Sequence, residues 1–169
     1  MNRWTRLLRH RWLDDTDVRR VLGTDALDRL TARVRESERH HSGEIRICIE
    51  AGLPLSYLWR DAPARQRAIM LFGKLRVWDT EHNNGVLIYL LVADRAIEIV
   101  ADRGLNRHVD AAGWQALATQ MSAAFKAGRY EDGLADAVER VDALMRQHFP
   151  IDAAERNPNE LPDRPVVLV

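Results

Sequence analysis

Apolar side chains recur along this chain with two different periods, and the switches between them predict the order of its elements. Residues 14 to 41 read as helical. Asp14, Asp15 and Asp17 supply caps and favourable charge at a helix start. Gly23 breaks the segment, and Thr24 caps a second piece with Leu27, Leu30 and Val34 on one face. In SGEIRICIEAG the period becomes two: Ile45, Ile47 and Ile49 alternate with Glu44, Arg46, Cys48 and Glu50, a strand that Gly52 and Pro54 end. LPLSYLWRDAP reads as a loop or short turn. Asp61, with Pro63 just behind it, opens a helix whose Ile69, Phe72, Leu75 and Trp78 are expected to face a sheet.

The turn EHNNG introduces VLIYLLV, residues 86 to 92, an unbroken apolar run that suits a central strand covered on both faces. Ala93, Asp94 and Arg95 make a tight connection to AIEIVADRG, where Ile97 and Ile99 share one face and Glu98 takes the other: a β-hairpin. Asp110 caps a helix carrying Trp114, Leu117, Met121 and Phe125, and Gly128 supplies its stop. A last helix, roughly 130 to 148, turns Leu134, Val138, Val141 and Met145 inward. Beyond Phe149 the chain is rich in proline, and its closing VVLV can add an edge strand.

Helix, strand, helix, strand, strand, helix, helix is an α/β order. A strand–helix–strand step gives a right-handed parallel crossover, the hairpin adds an antiparallel strand, and helices cover both faces. The expected fold is therefore a three-layer αβα sandwich around a small mixed sheet. It divides into a basic amphipathic segment (1–13), the αβα domain (14–149) and a Pro-rich tail (150–169).

Composition narrows the function. The 169 residues carry 25 basic and 25 acidic side chains, which argues against nucleic acid as a partner. The single cysteine, Cys48, rules out an internal disulfide or a Cys-based metal cage and reads as a small buried hydrophobe. The N-terminus has no apolar stretch of the length a signal peptide needs and no run approaches a membrane span, so a cytoplasmic location is expected. Near the N-terminus, Trp4, Leu7, Leu8 and Trp12 fall at helical spacing among Arg3, Arg6, Arg9 and Arg11. Either the tryptophans pack on the domain, or Trp4, Leu8 and Trp12 rest on an anionic membrane or a partner protein. His40 and His41, being consecutive, point in different directions and are expected at the surface.

Catalytic motifs are few. Cys48 is followed by IEAGLP, without the Arg that a Cys-dependent phosphatase needs. Asp15 and Asp17 follow RHRW rather than a strand, so they suit a helix start better than an aspartyl-phosphate site. No Walker loop or GxGxxG supports a nucleotide. Hard cations need converging oxygens, and the candidates at strand ends are Glu44, Asn83, Asn84, Asp94, Asp102 and Asp110, with His82 as thin support for a transition metal. Asp94 belongs at the opposite end of the hairpin from Asn84. Each candidate also has a structural role open to it: Asn83 and Asn84 as turn formers, Asp110 as a cap, Glu44 as partner of Arg46 or Arg103. Arg95 and Arg103 suit either a bound anion or a salt bridge.

SGEIRICIE, then HNNGVLIYLLVADRAIEIVADRGL, then AFKAGRYEDGLADAVERV resemble the TPM domain family over roughly residues 40 to 146. That family is named for a thylakoid lumen protein, a photosystem-repair protein and a channel modulator. HFPIDAAERNPNELPD resembles the tail of a soluble bacterial branch lacking the signal peptide and membrane anchor of many relatives. The resemblance implies a Rossmann-like αβα fold and a divalent cation, calcium in the first place. By position in the motif, Glu44, Asn84, Asp102 and Asp110 match the family's acidic cluster. It further implies an accessory role toward a protein partner, with metal-dependent phosphatase activity as the alternative.

Overall fold

The computed structural model describes residues 3–13, 15–152 and 157–169, with the side chains of residues 3, 4, 5 and 15 left aside. In chain order the elements are α1 (Arg3–Arg11), α2 (Asp15–Leu22), α3 (Ala26–Ser37), β1 (Glu44–Glu50), α4 (Leu55–Trp59), α5 (Ala64–Lys74), β2 (Gly85–Leu91), β3 (Ala96–Ala101), α6 (Arg103–Asn106), α7 (Ala111–Lys126), α8 (Tyr130–His148) and β4 (Val166–Leu168). The strands form one sheet in the order β3-β2-β1-β4. β1 runs parallel to both β2 and β4, and β2 pairs antiparallel with β3. The crossover through α4 and α5, the hairpin and the edge strand from VVLV all follow the apolar pattern.

Alternation along the strands sorts side chains into two cores. Ile45, Ile47, Ile49, Val86, Ile88, Leu90 and Ile99 pack beneath α2, α3, α7 and α8. Cys48, Leu87, Tyr89, Leu91 and Val100 pack beneath α4 and α5. The result is a three-layer αβα sandwich, and no helix among the described residues is long and apolar enough to cross a membrane.

Several local expectations are corrected. LPLSYLW contains a helix of its own, α4. α5 buries Ala64, Ala68 and Leu71, while Ile69 and Trp78 stand more than half exposed. Small alanines let this helix settle close to the sheet, so the larger side chains are turned outward. Its start is Pro63 rather than Asp61. α3 is entered through Asp25 in a left-handed conformation with no side-chain cap, in place of Thr24. His41 is wholly buried, unlike exposed His40. The Asp14 cap lies outside the described residues.

β1 departs furthest from a half-polar strand, because all seven of its residues are buried, Glu44, Arg46 and Glu50 included. The C-terminal segment explains this. After a bridge between His41 and Pro150, the Asn157 side-chain amide donates to the carbonyls of His41 and Gly43 at 3.0 and 3.1 Å. Arg46 donates to the carbonyls of Pro162 and Arg164, and β4 then closes the edge. The residues from 157 onward thus form part of the sandwich wall.

Candidate functional site

Strand register brings three of the four sequence candidates to one end of the sheet. Glu44 opens β1 opposite Gly85, and the Asp102 N–H bonds the Gly85 carbonyl at 2.9 Å. Asn84 directly precedes β2 and Asp102 directly follows β3, so with Glu44 they stand at one end of three adjacent strands. Each is tied through one polar atom. Glu44 Oε2 accepts from the Leu161 N–H at 3.0 Å, Asn84 Nδ2 donates to Ser42 Oγ at 3.2 Å, and Asp102 Oδ1 accepts from the Arg103 N–H at 2.7 Å. Each also keeps one buried oxygen with no hydrogen-bond partner: Glu44 Oε1, Asn84 Oδ1 and Asp102 Oδ2. Asp110 is different. It is exposed and caps α7 by accepting from the Gly113 N–H at 2.8 Å.

The three share an end without sharing a single focus. Glu44 and Asp102 stand on either side of Gly85, where a Cβ would meet the Val77 carbonyl oxygen at 1.9 Å. The loop before β2 therefore fills the space over Gly85. Asn84 follows the alternation of Val86 and turns to the other face, toward Ser42. Among the described residues no group of three or more His, Cys, Asp or Glu could hold a metal ion. What gathers at this sheet end is instead a mixed set of carboxylate and amide oxygens.

The remaining candidates have other partners. Asn83 takes a left-handed turn conformation and accepts from Arg103 Nε at 2.8 Å, so Arg103 does not pair with Glu44. Neither does Arg46, which binds tail carbonyls. Arg95 donates to the Lys126 carbonyl at the end of α7. Asp94 sits at the far end of the hairpin, as its position demands, and receives Arg6, Arg9 and His10 from α1. Burial favours its neutral form, but these three partners outweigh burial and hold it well below the usual carboxylate range.

Two buried groups near Glu44 were invisible to periodicity. Glu38, within the charged run RESERHH, folds inward and accepts from the Ile45 N–H at 2.8 Å. Asp163, in the Pro-rich tail, is buried and ion-paired with Arg35 at 3.0 Å, with its other oxygen unpartnered. Burial pushes Glu38 up to about 9, against the pull of the Ile45 N–H, and Glu44 and Asp163 add to the rise. Burial likewise pushes Glu44 up to about 7, opposed by the N–H groups of Leu161 and Glu160. Only the return of the tail onto β1 creates this carboxylate group, and no sequence spacing announces it.

Ser37, His41 and Asp142 have the residue types of a nucleophilic triad but not its geometry. Ser37 Oγ lies 2.9 Å from His41 Nε2 and 2.7 Å from Asp142 Oδ1, while His41 Nδ1 faces the Gly43 carbonyl. The acid bonds the serine and lies 3.5 Å from the same His41 Nε2 that faces Ser37, so it does not orient the ring through Nδ1, and Ser37 and His41 are buried. Burial lowers His41 to about 4, so the ring is neutral and the group pins α3 to α8. On the other sheet face, Glu50 accepts Arg67 through both oxygens and the Tyr89 hydroxyl at 2.6 Å. Cys48 lies beside this group, its thiol pushed up to about 12 by burial.

The fold and the strand-end oxygens define a class: a small αβα domain with a mixed sheet whose acidic and amide side chains gather where β1, β2 and β3 meet their loops. The profile of the TPM domain matches residues 16–144, and the chain belongs to that family. Among solved structures, the BA42 protein of the psychrophilic bacterium Bizionia argentinensis is 27% identical, with a TM-score of 0.72, over 86% of this chain and 94% of that one. The N-terminal domain of a protein from P. gingivalis has the same fold at 19% identity and a TM-score of 0.63, covering 78% of this chain and 83% of that one. No curated protein matches.

Proposed function

We propose that this chain is a non-enzymatic binding domain of the TPM type that takes a divalent cation at the Glu44–Asn84–Asp102 end of the sheet and engages a protein partner or membrane surface. The observation that supports the cation is the trio of buried, unpartnered oxygens on those residues. A buried acceptor without a donor is costly, and a hard cation drawn to any one of them would offset that cost. Glu44 and Asp102 on one sheet face are the leading donors, with Asn84 on the opposite face and Asp110 at the start of α7 as further candidates, and the all-oxygen donors favour calcium. Because the set has no single focus, the affinity belongs in the weak, roughly millimolar range of calcium sites.

Leu8 and Trp12 support the docking role, at 60% and 78% exposure, though Arg6 and Arg9 on the same helix are occupied by Asp94. Trp4, the third residue of that proposed contact, has its side chain outside the described residues.

Titration of calcium, magnesium and zinc into ¹⁵N-labelled protein tests the cation. Saturable amide shifts near Glu44, Asn84 and Asp102, lost in Asp102→Asn, are the expected result. No saturable shift at ~10 mM metal, an order above weak calcium sites, would overturn it. Turnover of p-nitrophenyl phosphate that follows metal occupancy would favour the metal-dependent phosphatase reading instead.

A further inference from the structure

At the opposite end of the sheet, beyond the C-terminal ends of β1 and β4, lies a cavity of about 400 Å³. This is the sheet end where open α/β folds place their ligands, and the volume is that of a small-molecule site. Its walls are divided by chemistry. Leu53, Leu55 and Leu168 give an apolar side, while Arg11, Arg67 and Lys74 bring positive charge.

Not all of that charge is available. Glu50 also lines the cavity, but it is 2% exposed and its carboxylate is spent on Arg67 and Tyr89. That pair cancels. His10 is likewise occupied, by Asp94 and by the Leu53 N–H. Arg11 and Lys74 remain, and neither has an ion pair or hydrogen bond among the described residues. Each is the last residue of its helix, where a cation interacts favourably with the helix dipole. The dipole accounts for a cation at each helix end. It does not account for two cations from separate helices, unpaired among the described residues, lining one half-apolar cavity. The Asp94 clamp on Arg6, Arg9 and His10 also fixes the α1 end that carries Arg11.

We propose that this cavity binds a phosphate ester with an apolar substituent: Arg11 and Lys74 hold the phosphate, and Leu53, Leu55 and Leu168 receive the apolar part. Two separate cations suit a group carrying nearly two negative charges. The same monoester chemistry belongs to a soluble alkyl phosphate and to the headgroup of phosphatidic acid. The site lies at the other sheet end from the proposed cation site and does not depend on it.

The test uses hexyl phosphate and the full-length ¹⁵N-labelled chain, with inorganic phosphate as comparator. Expected are saturable shifts at Arg11, Gly52 to Leu55, Lys74 and Leu168, with hexyl phosphate binding on the order of ten-fold tighter than inorganic phosphate. Arg11→Ala and Lys74→Ala should each weaken binding by roughly ten-fold, and both residues are exposed, so dispersed spectra will show that the variants fold. Co-sedimentation with phosphatidic acid vesicles, absent with phosphatidylcholine and blocked by hexyl phosphate, would identify a lipid as the source. Binding of hexyl phosphate without sedimentation would identify a soluble ester. No saturable shift at ~10 mM hexyl phosphate, or shifts unchanged in both variants, would overturn the proposal.

Discussion

Glu38 is a carboxyl group that folding forces to keep its proton. In the unfolded chain it ionises near 4.5, whereas in the fold it does so at about 9. The folded state therefore binds more protons between those values, and stability falls as pH rises through that window. The contribution is complete below 4.5 and lost by about 9. Glu44 acts in the same direction up to about 7, while His41, lowered to about 4, acts in the opposite sense below its ordinary value. Glu38→Gln keeps an oxygen for the Ile45 N–H and removes the ionisation. It should raise stability at pH 8 by roughly 1 kcal/mol or more and change it little at pH 4.5, as urea denaturation at the two values will show. Gly85 gives a second residue-level expectation. A methyl group there would press on the Val77 carbonyl, so Gly85→Ala should destabilise by roughly 2–3 kcal/mol, read as a fall in the urea midpoint. Motif position alone singled out Glu44, Asn84, Asp102 and Asp110, of which the first three share a sheet end and Asp110 caps α7. Glu38 and Asp163 escaped notice because a charged run and a Pro-rich tail carry no periodic signal of burial, and only the closed edge at β4 buries them.

At the scale of elements, α1 shows how an amphipathic pattern under-determines its partner. Spacing announced a helix with an apolar stripe. It could not announce that Arg6 and Arg9 reach the β2–β3 turn at Asp94, 3.0 and 2.6 Å away, or that buried His10 meets the Leu53 N–H at 2.9 Å. Asp94→Ala removes the acceptor common to three side chains and should lower stability by roughly 2–4 kcal/mol, measurable by thermal or urea unfolding. Removal of residues 1–12 takes His10 with it, so the truncated chain should also unfold more easily, in proportion to that clamp. The two long C-terminal helices, by contrast, were legible almost residue by residue. Trp114, Met121 and Phe125 of α7 and Leu134, Val138, Val141 and Met145 of α8 are buried, with Leu117 half-buried. Large side chains repeated over many turns leave one choice of face. α5 is short of that evidence of size, since its buried stripe is Ala64, Ala68 and Leu71, and pattern reading favoured the bulkier Ile69 and Trp78.

For the whole molecule, one sheet serves two ends with different chemistry. Where β1 and β2 begin, Glu44, Asn84 and Asp102 each keep a buried oxygen without a donor, the basis of the proposed cation site. Where β1 and β4 finish, cations outnumber carboxylates and suit an anion. The sequence order of helices and strands was enough to place the first end, because the hairpin forces Asn84 and Asp94 apart. It was not enough for the second, which depends on α1 and the C-terminal strand meeting across a long separation in the chain. The central claim concerns the first end, and thermal unfolding with and without calcium tests it most directly. A cation bound only by the native state must stabilise it by RT ln(1 + [L]/Kd), about 1.4 kcal/mol when the ion is near ten times Kd. The account predicts a higher Tm with ~10 mM calcium for the wild-type chain and no rise for an Asn84→Ala, Asp102→Asn double variant. A Tm that calcium leaves unchanged, or raises equally in both proteins, would contradict it.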